Sequence, residues 1–300
     1  MKSYKFSNLL AYEKKIRDLY LKLGLNFDSS NRISKYFKYL NEIEEKRKLD
    51  KESFSQLIIK DRAKYYFSQF YVLEICNIID AIENSDLDEK IVKGKLCDVS
   101  KGNYLLSEED SDNTKARDTM FELSLLSFLK KNGLNARLCE PNPDIQLTSN
   151  NFIYNIECKR PQSSRSLERN IKKAMKQLKR TTKGNCVPTI ALSLEQILLG
   201  QTLLEERKKS DLILDSKDEK AALAFLDTTL LNFLKNNNPL LGKILGNKPC
   251  LVLYYLSCLT GFKTNLPMAN ATFVTGNIFN FEGEISNSIL NDLYSMFPPS

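Results

Sequence analysis

The sequence predicts a mixed α/β fold: an αβββαβ core of helix, three strands, helix and strand, preceded by a helical N-terminal region. Three observations predict it. Apolar residues recur at helical spacing through most of residues 1–83. From Thr114 to Leu194 a helical pattern gives way to three short apolar runs, then a basic amphipathic helix, then a buried β-rich run. Between these regions, residues 84–112 are acidic and polar, with Gly102 and the cluster Ser107-Glu108-Glu109-Asp110-Ser111-Asp112. That composition predicts a connector. Residues 1–112 are therefore expected to be a helical region for dimerisation, regulation or sensing, and residues 113–300 a second domain.

The elements follow in order. Phe6 to Leu23 carries Leu9, Leu10, Ile16, Leu19, Tyr20 and Leu23 close to the helical period, and Ile33 to Lys46 repeats the style. Ser53 to Glu83 is the longest such stretch, and its aromatic density predicts core or interface. Thr114 to Lys131 reads as a helix stopped by Asn132-Gly133, with lysines in its last turn. Asn135–Cys139, Asp144–Leu147 and Phe152–Lys159 read as strands, the last two joined by the turn Thr148–Asn151. Ser166–Arg180 is the basic helix and Cys186–Leu194 a buried strand. Ala221–Lys235 reads as helix, Cys250–Cys258 and Ala271–Ile278 as strands, and Ile285–Met296 as a closing helix.

Composition narrows the chemistry. The 300 residues contain no histidine. Histidine-based triads, histidine phosphoryl acceptors and His-ligated zinc are all excluded. Seven scattered cysteines with no CxxC pair exclude a zinc ribbon or finger and predict small buried hydrophobes in a reducing compartment. No GxxxxGK[ST] loop is present. The longest nearly apolar run, Pro249 to Phe262, is too short to span a bilayer, and Glu13, Lys14 and Lys15 interrupt the apolar N-terminus. A cytoplasmic protein with no membrane partner is expected.

The net charge of +7 comes entirely from residues 113–300, since residues 1–112 balance 20 basic against 20 acidic residues. Residues 159–183 hold ten Lys/Arg and one acid, Glu168. Within them, Leu167, Ile171, Ala174 and Leu178 form an apolar stripe. Arg165, Arg169, Lys172, Lys173, Lys176, Lys179 and Arg180 occupy the other faces. A face of one sign repels itself and predicts a polyanionic partner. Arg160 belongs to the same basic run. Gln177 adjoins the stripe and is placed to reach the site, and Ser163 and Ser164 lie just past the third strand, within reach of a phosphate.

The most pointed motif is Pro143-Asp144-Ile145 followed by Ile156-Glu157-Cys158-Lys159. Residues two apart in a strand share a face, so Glu157 and Lys159 point one way and Cys158 the other. Antiparallel pairing across the Thr148–Asn151 turn would bring Asp144 beside Glu157. Two carboxylates, with the backbone carbonyl of Cys158, suit a hard divalent cation, and Lys159 suits a phosphate or an attacking water. Glu122 adds a third carboxylate, on the face of its helix that carries Leu125, Leu126 and Leu129. The plain alternatives are a salt-bridged hairpin for Glu157 and Lys159, and pairing with Arg117 or Lys115 for Glu122.

With Glu122, Asp144, Glu157 and Lys159 in the order helix–strand–strand, followed by a basic helix, residues 114–194 resemble the PD-(D/E)XK phosphodiesterase superfamily, the restriction-endonuclease-like fold. The resemblance implies a mixed sheet flanked by helices, dependence on Mg²⁺ or Mn²⁺, and phosphodiester hydrolysis. Glu157–Pro161 with Ala174, Gln177 and Leu178 is also similar to nucleases of bacterial anti-phage defence and restriction systems. The expected function is a metal-dependent DNA endonuclease. Asp144, Glu157, the Cys158 carbonyl and Glu122 would serve the metal, and Lys159 would assist the water. Cutting two strands predicts a homodimer or a larger complex with partner proteins. The other readings are a non-cleaving nucleic-acid-binding or assembly module, and a nuclease directed at RNA.

Overall fold

A computed structural model describes residues 6–50, 52, 56, 61–104, 114–180, 185–198, 214–216, 219–262 and 268–297. Helices α1 (Phe6–Lys22), α2 (Arg32–Leu49), α3 (Arg62–Glu83) and α4 (Glu89–Ser100) precede α5 (Lys115–Lys131). Then come β1 (Asn135–Leu138), β2 (Ile145–Thr148), β3 (Ile153–Lys159), α6 (Ser164–Leu178) and β4 (Cys186–Ser193). The chain continues through α7 (Glu195–Leu198), β5 (Leu214–Ser216), α8 (Glu219–Leu245), β6 (Cys250–Phe262), β7 (Met268–Phe279) and α9 (Gly283–Met296). Mixed α/β architecture and the αβββαβ order are both as the sequence predicts.

The strands form one mixed sheet in the order β1-β2-β3-β4-β6-β5, with β7 along β6. β1, β2 and β3 form an antiparallel meander, β4 and β6 run parallel to β3, and β7 returns antiparallel to β6. Period-two alternation sends side chains to two layers. Tyr154, Ile156, Cys158, Val187, Ala191, Leu251, Leu253 and Tyr255 join the larger core, which continues unbroken into α1–α5. Ile190, Leu192, Val252 and Tyr254 join a second core beneath α6 and α8. Of the stripe on α6, Leu167, Ile171 and Leu178 each bury a whole aliphatic side chain there, about 2 kcal/mol apiece in transfer free energy. Ser163 opens α6: its N–H donates to Ser166 Oγ at 3.1 Å, and that hydroxyl donates back to the Ser163 carbonyl at 2.8 Å.

Polar contacts fasten the helical layer to the sheet. Tyr255 OH reaches Glu74 of α3 at 3.4 Å, and Tyr154 OH donates to Asp292 of α9 at 2.6 Å. Helix α5 stops as expected: Gly133 takes φ +75°, and the Leu134 N–H returns to the Leu129 carbonyl at 3.0 Å.

Several expectations are corrected. Residues 89–100, expected to lie in a connector, form α4. Asp88 caps it, accepting from Lys90 N (2.9 Å) and Ile91 N (3.1 Å), and Val92, Leu96 and Val99 bury one face. The cluster Ser107–Asp112 lies outside the described residues, as does most of 51–60 at the start of the expected 53–83 helix. Helix α8 continues past the expected Lys235 stop and through Pro239, because Leu241 and Leu245 still have core to fill. Strands β6 and β7 each run several residues longer than expected, and α7 and β5 are additions to the expected elements. Among the described residues no helix is long and apolar enough to cross a membrane.

Candidate metal centre

The β2–β3 register sets Ile145 opposite Ile156, so Asp144 and Glu157 emerge as neighbours where β2 begins and β3 nears its end. The loop before them, Cys139 to Asp144, closes on itself through Cys139 N–H to the Asp144 carbonyl at 3.1 Å. Asp144 Oδ2 accepts from the Cys158 backbone N–H at 2.8 Å, which fixes the carboxylate against β3. Lys159 Nζ lies 3.1 Å from Glu157 Oε2, 2.9 Å from the Cys158 carbonyl and 4.0 Å from Asp144 Oδ2. Glu157 and Lys159 thus share a face, as strand periodicity predicts, while Cys158 turns into the larger core. Glu157 is fully buried. The Asn142 amide, with its nitrogen turned inward, reaches Glu157 Oε1 at 3.0 Å and the Pro141 carbonyl at 2.9 Å. Gln177 of α6 stands 3.0 Å from that amide, so it approaches the site through Asn142.

Glu122 comes from α5, in the opposite layer. Its carboxylate is neither free nor paired with Arg117 or Lys115. Lys95 Nζ of α4 holds its Oε2 at 2.5 Å, and both side chains are nearly buried. Sequence reasoning missed Lys95. The signal was present, since Val92, Leu96 and Val99 mark a helix, but its acidic flanks read as a connector.

The charges explain the acidities. Burial and the neighbouring Asp144 push Glu157 up to about 7, against the pull of Lys159. Burial and Asp144 do the same to Glu122, up to about 7, against Lys95 and Lys159. Lys95 goes the other way: burial would lower it, but Glu122 and then Asp144 raise it, so it stays charged. The two partners of this pair thus feel different pulls. The 2.5 Å contact keeps Lys95 charged, whereas burial and then the Asp144 charge raise Glu122. Three carboxylates face two ammonium groups, so the cluster is short of positive charge.

The basic helix is partly as expected. Arg165, Arg169, Lys172, Lys173 and Lys176 are exposed on α6, as are Lys179 and Arg180 just past its end. Arg160 departs from them. Its side chain is 6% exposed and turns inward, with Nε 3.3 Å from Asp118 and a donated bond to Gln196 Oε1 at 2.9 Å. There it lines a cavity of about 20 Å³ with Arg117, Glu74, Glu195 and Tyr255. Burial pushes Glu74 up to about 7 and Glu195 well above its ordinary value.

Among the described residues no group of three or more acidic or thiol side chains is arranged to hold a metal ion. A Mg²⁺ ion needs less, because it keeps several waters and takes one or two carboxylates. Asp144, Glu157 and the Cys158 carbonyl fit that requirement, and the excess acid of the cluster favours a cation. No family model, curated protein or solved structure matches the chain.

Proposed function

We propose that this chain is a metal-dependent endonuclease acting on DNA, as in restriction or anti-phage defence. The observation that supports it most is the placement of Asp144 beside Glu157 across the β2–β3 register, with Lys159 3.1 Å from Glu157. Asp144, Glu157 and the Cys158 carbonyl would hold Mg²⁺ or Mn²⁺, which supplies Lewis-acid polarisation of the scissile phosphate. Lys159 would place its ammonium against the charge that develops on the phosphoryl oxygens and orient the attacking water. The exposed cations of α6 would track the phosphate backbone, and a dimer would present two such sites to two strands.

The test is plasmid cleavage with Mg²⁺ against EDTA, for the natural chain and for Lys159→Met. The natural chain should cut only with the metal. Lys159→Met should lose cleavage and still bind Mn²⁺; full activity in that variant refutes the assignment.

One observation favours a second reading, a module of the same fold that binds nucleic acid without cutting: Lys95 already occupies Glu122. Retained DNA binding with no metal-dependent cleavage under any condition would select it.

A further inference from the structure

We propose that α6 and the C-terminal half of α8 form one docking surface for duplex DNA, with α6 meeting the phosphates of one strand and Lys235, Lys243 and Lys248 those of the other. The inference deepens the reading above by naming the form of the nucleic acid and a second contact helix. It rests on the DNA part of that reading and not on the metal.

Packing joins the two helices. Leu167, Ile171 and Leu178 of α6 share one core with Leu234, Leu241 and Leu245 of α8, on the same face of the sheet. Their outward sides therefore make one surface, and packed helices set two rows of side chains about 8–10 Å apart. That surface is basic. Residues 165–180 expose seven Lys and Arg against one acid, Glu168, which Lys172 holds at 2.5 Å. Residues 228–248 expose Lys235, Lys243 and Lys248 and contain no acid. The β3–β4 register turns the site to the same side. Glu157 lies opposite Ile190 and Lys159 opposite Leu192, and those two β4 residues belong to the core beneath α6 and α8. Gln177 of α6 also stands 3.0 Å from Asn142, whose amide reaches Glu157 at 3.0 Å.

Two features select a duplex. A row spacing of about 8–10 Å falls between the minor and major groove widths of B-DNA, about 6 and 12 Å, so each row meets a different strand across a groove. The 15 residues of α6 span about 22 Å. Over that length a duplex carries about 13 phosphates and one strand only about six. The surface offers seven cations on one helix and three on the other, more than one strand can use. Proteins that hold single strands also stack the bases on exposed aromatic rings. Residues 164–180 contain no aromatic, and the one aromatic of residues 228–248, Phe233, is buried.

The test is fluorescence anisotropy of a labelled DNA duplex, and of the single strand of the same sequence, titrated with the full-length chain in EDTA over a series of salt concentrations. Replacing Lys235, Lys243 and Lys248 together by alanine should lower the slope of log K against log salt for the duplex by about 0.9 per phosphate released, about 2.7 in all, and weaken binding at least about tenfold at about 0.1 M salt. The same three positions changed to arginine should keep the slope. Replacing Lys35, Lys38 and Lys46, exposed on α2 in the other layer, removes the same charge and should leave the slope unchanged. Equal losses from the α8 and α2 variants would reduce the effect to net charge and overturn the proposal. So would a single strand that binds as tightly as the duplex. Duplex binding that depends on the α8 lysines, with no Mg²⁺-dependent cleavage, refutes the nuclease reading and leaves the docking surface standing. Absence of duplex binding refutes both.

Discussion

Replacing Glu157 with glutamine should make the metal-free protein more stable at pH 8. The side chain is fully buried, and burial with Asp144 lifts its carboxyl from 4.5 to about 7. A raised carboxyl binds its proton more tightly in the folded than in the unfolded state. Its contribution to stability is complete below pH 4.5 and falls away as the pH climbs through 7. A shift of this size corresponds to about 3 kcal/mol at pH 8, at about 1.4 kcal/mol per unit. Glutamine keeps the shape and removes the charge, and the value of about 7 already includes the pull of Lys159 at 3.1 Å. The gain is therefore about 3 kcal/mol, a rise in Tm of roughly 6 °C for a chain of this size. Near pH 5 the gain should shrink below about 1 kcal/mol, because the native carboxyl is then mostly protonated. Thermal unfolding of both proteins in EDTA at pH 5 and pH 8 measures the difference directly, and Glu74 and Glu122 cancel because both proteins contain them. A variant less stable than its parent at pH 8, or a difference that ignores pH, refutes the assignment of buried like charge at this site.

Two further outcomes follow from the surroundings of the site. Arg160→Met should lower stability by about 1–3 kcal/mol, because it removes a nearly buried guanidinium that reaches Asp118 and donates to Gln196; an unchanged Tm would show that this inward-turned side chain contributes nothing to the fold. Replacing exposed Lys172, Lys173 and Lys176 together by alanine should leave Tm within about 1 °C. It should also lower the slope of log K against log salt for duplex binding by about 0.9 for each phosphate that is no longer neutralised; an unchanged slope means that α6 does not meet the backbone.

What the sequence made legible was local. A strand period of two and a four-residue turn fix the β2–β3 register, so Asp144 beside Glu157 could be read from spacing alone. The stripe Leu167, Ile171, Ala174 and Leu178 fixed the buried face of α6 in the same way, and with it the exposed cations. Direction was harder. A charge count places Arg160 with the basic run, but cannot show that Asp118 on α5 and Gln196 on α7 draw it inward. Strand length was lost at β6, where Thr260 and Gly261 break the apolar pattern although the ladder with β7 continues. The three residues of β5 are too few to carry a period at all.

Lys95 marks the deeper limit. Its contact with Glu122 spans 27 positions and joins two helices, one of which stood in a stretch that composition assigned to a connector. Neither residue carries a motif that names the other. The pairing is a consequence of packing: Val92, Leu96 and Val99 bury one face of α4 in the core that α5 also lines, and that brings the polar side of α4 against Glu122. The same core continues from α1 to the sheet. A helix that would have been set aside with the N-terminal region therefore supplies one of the two ammonium groups in the acidic cluster.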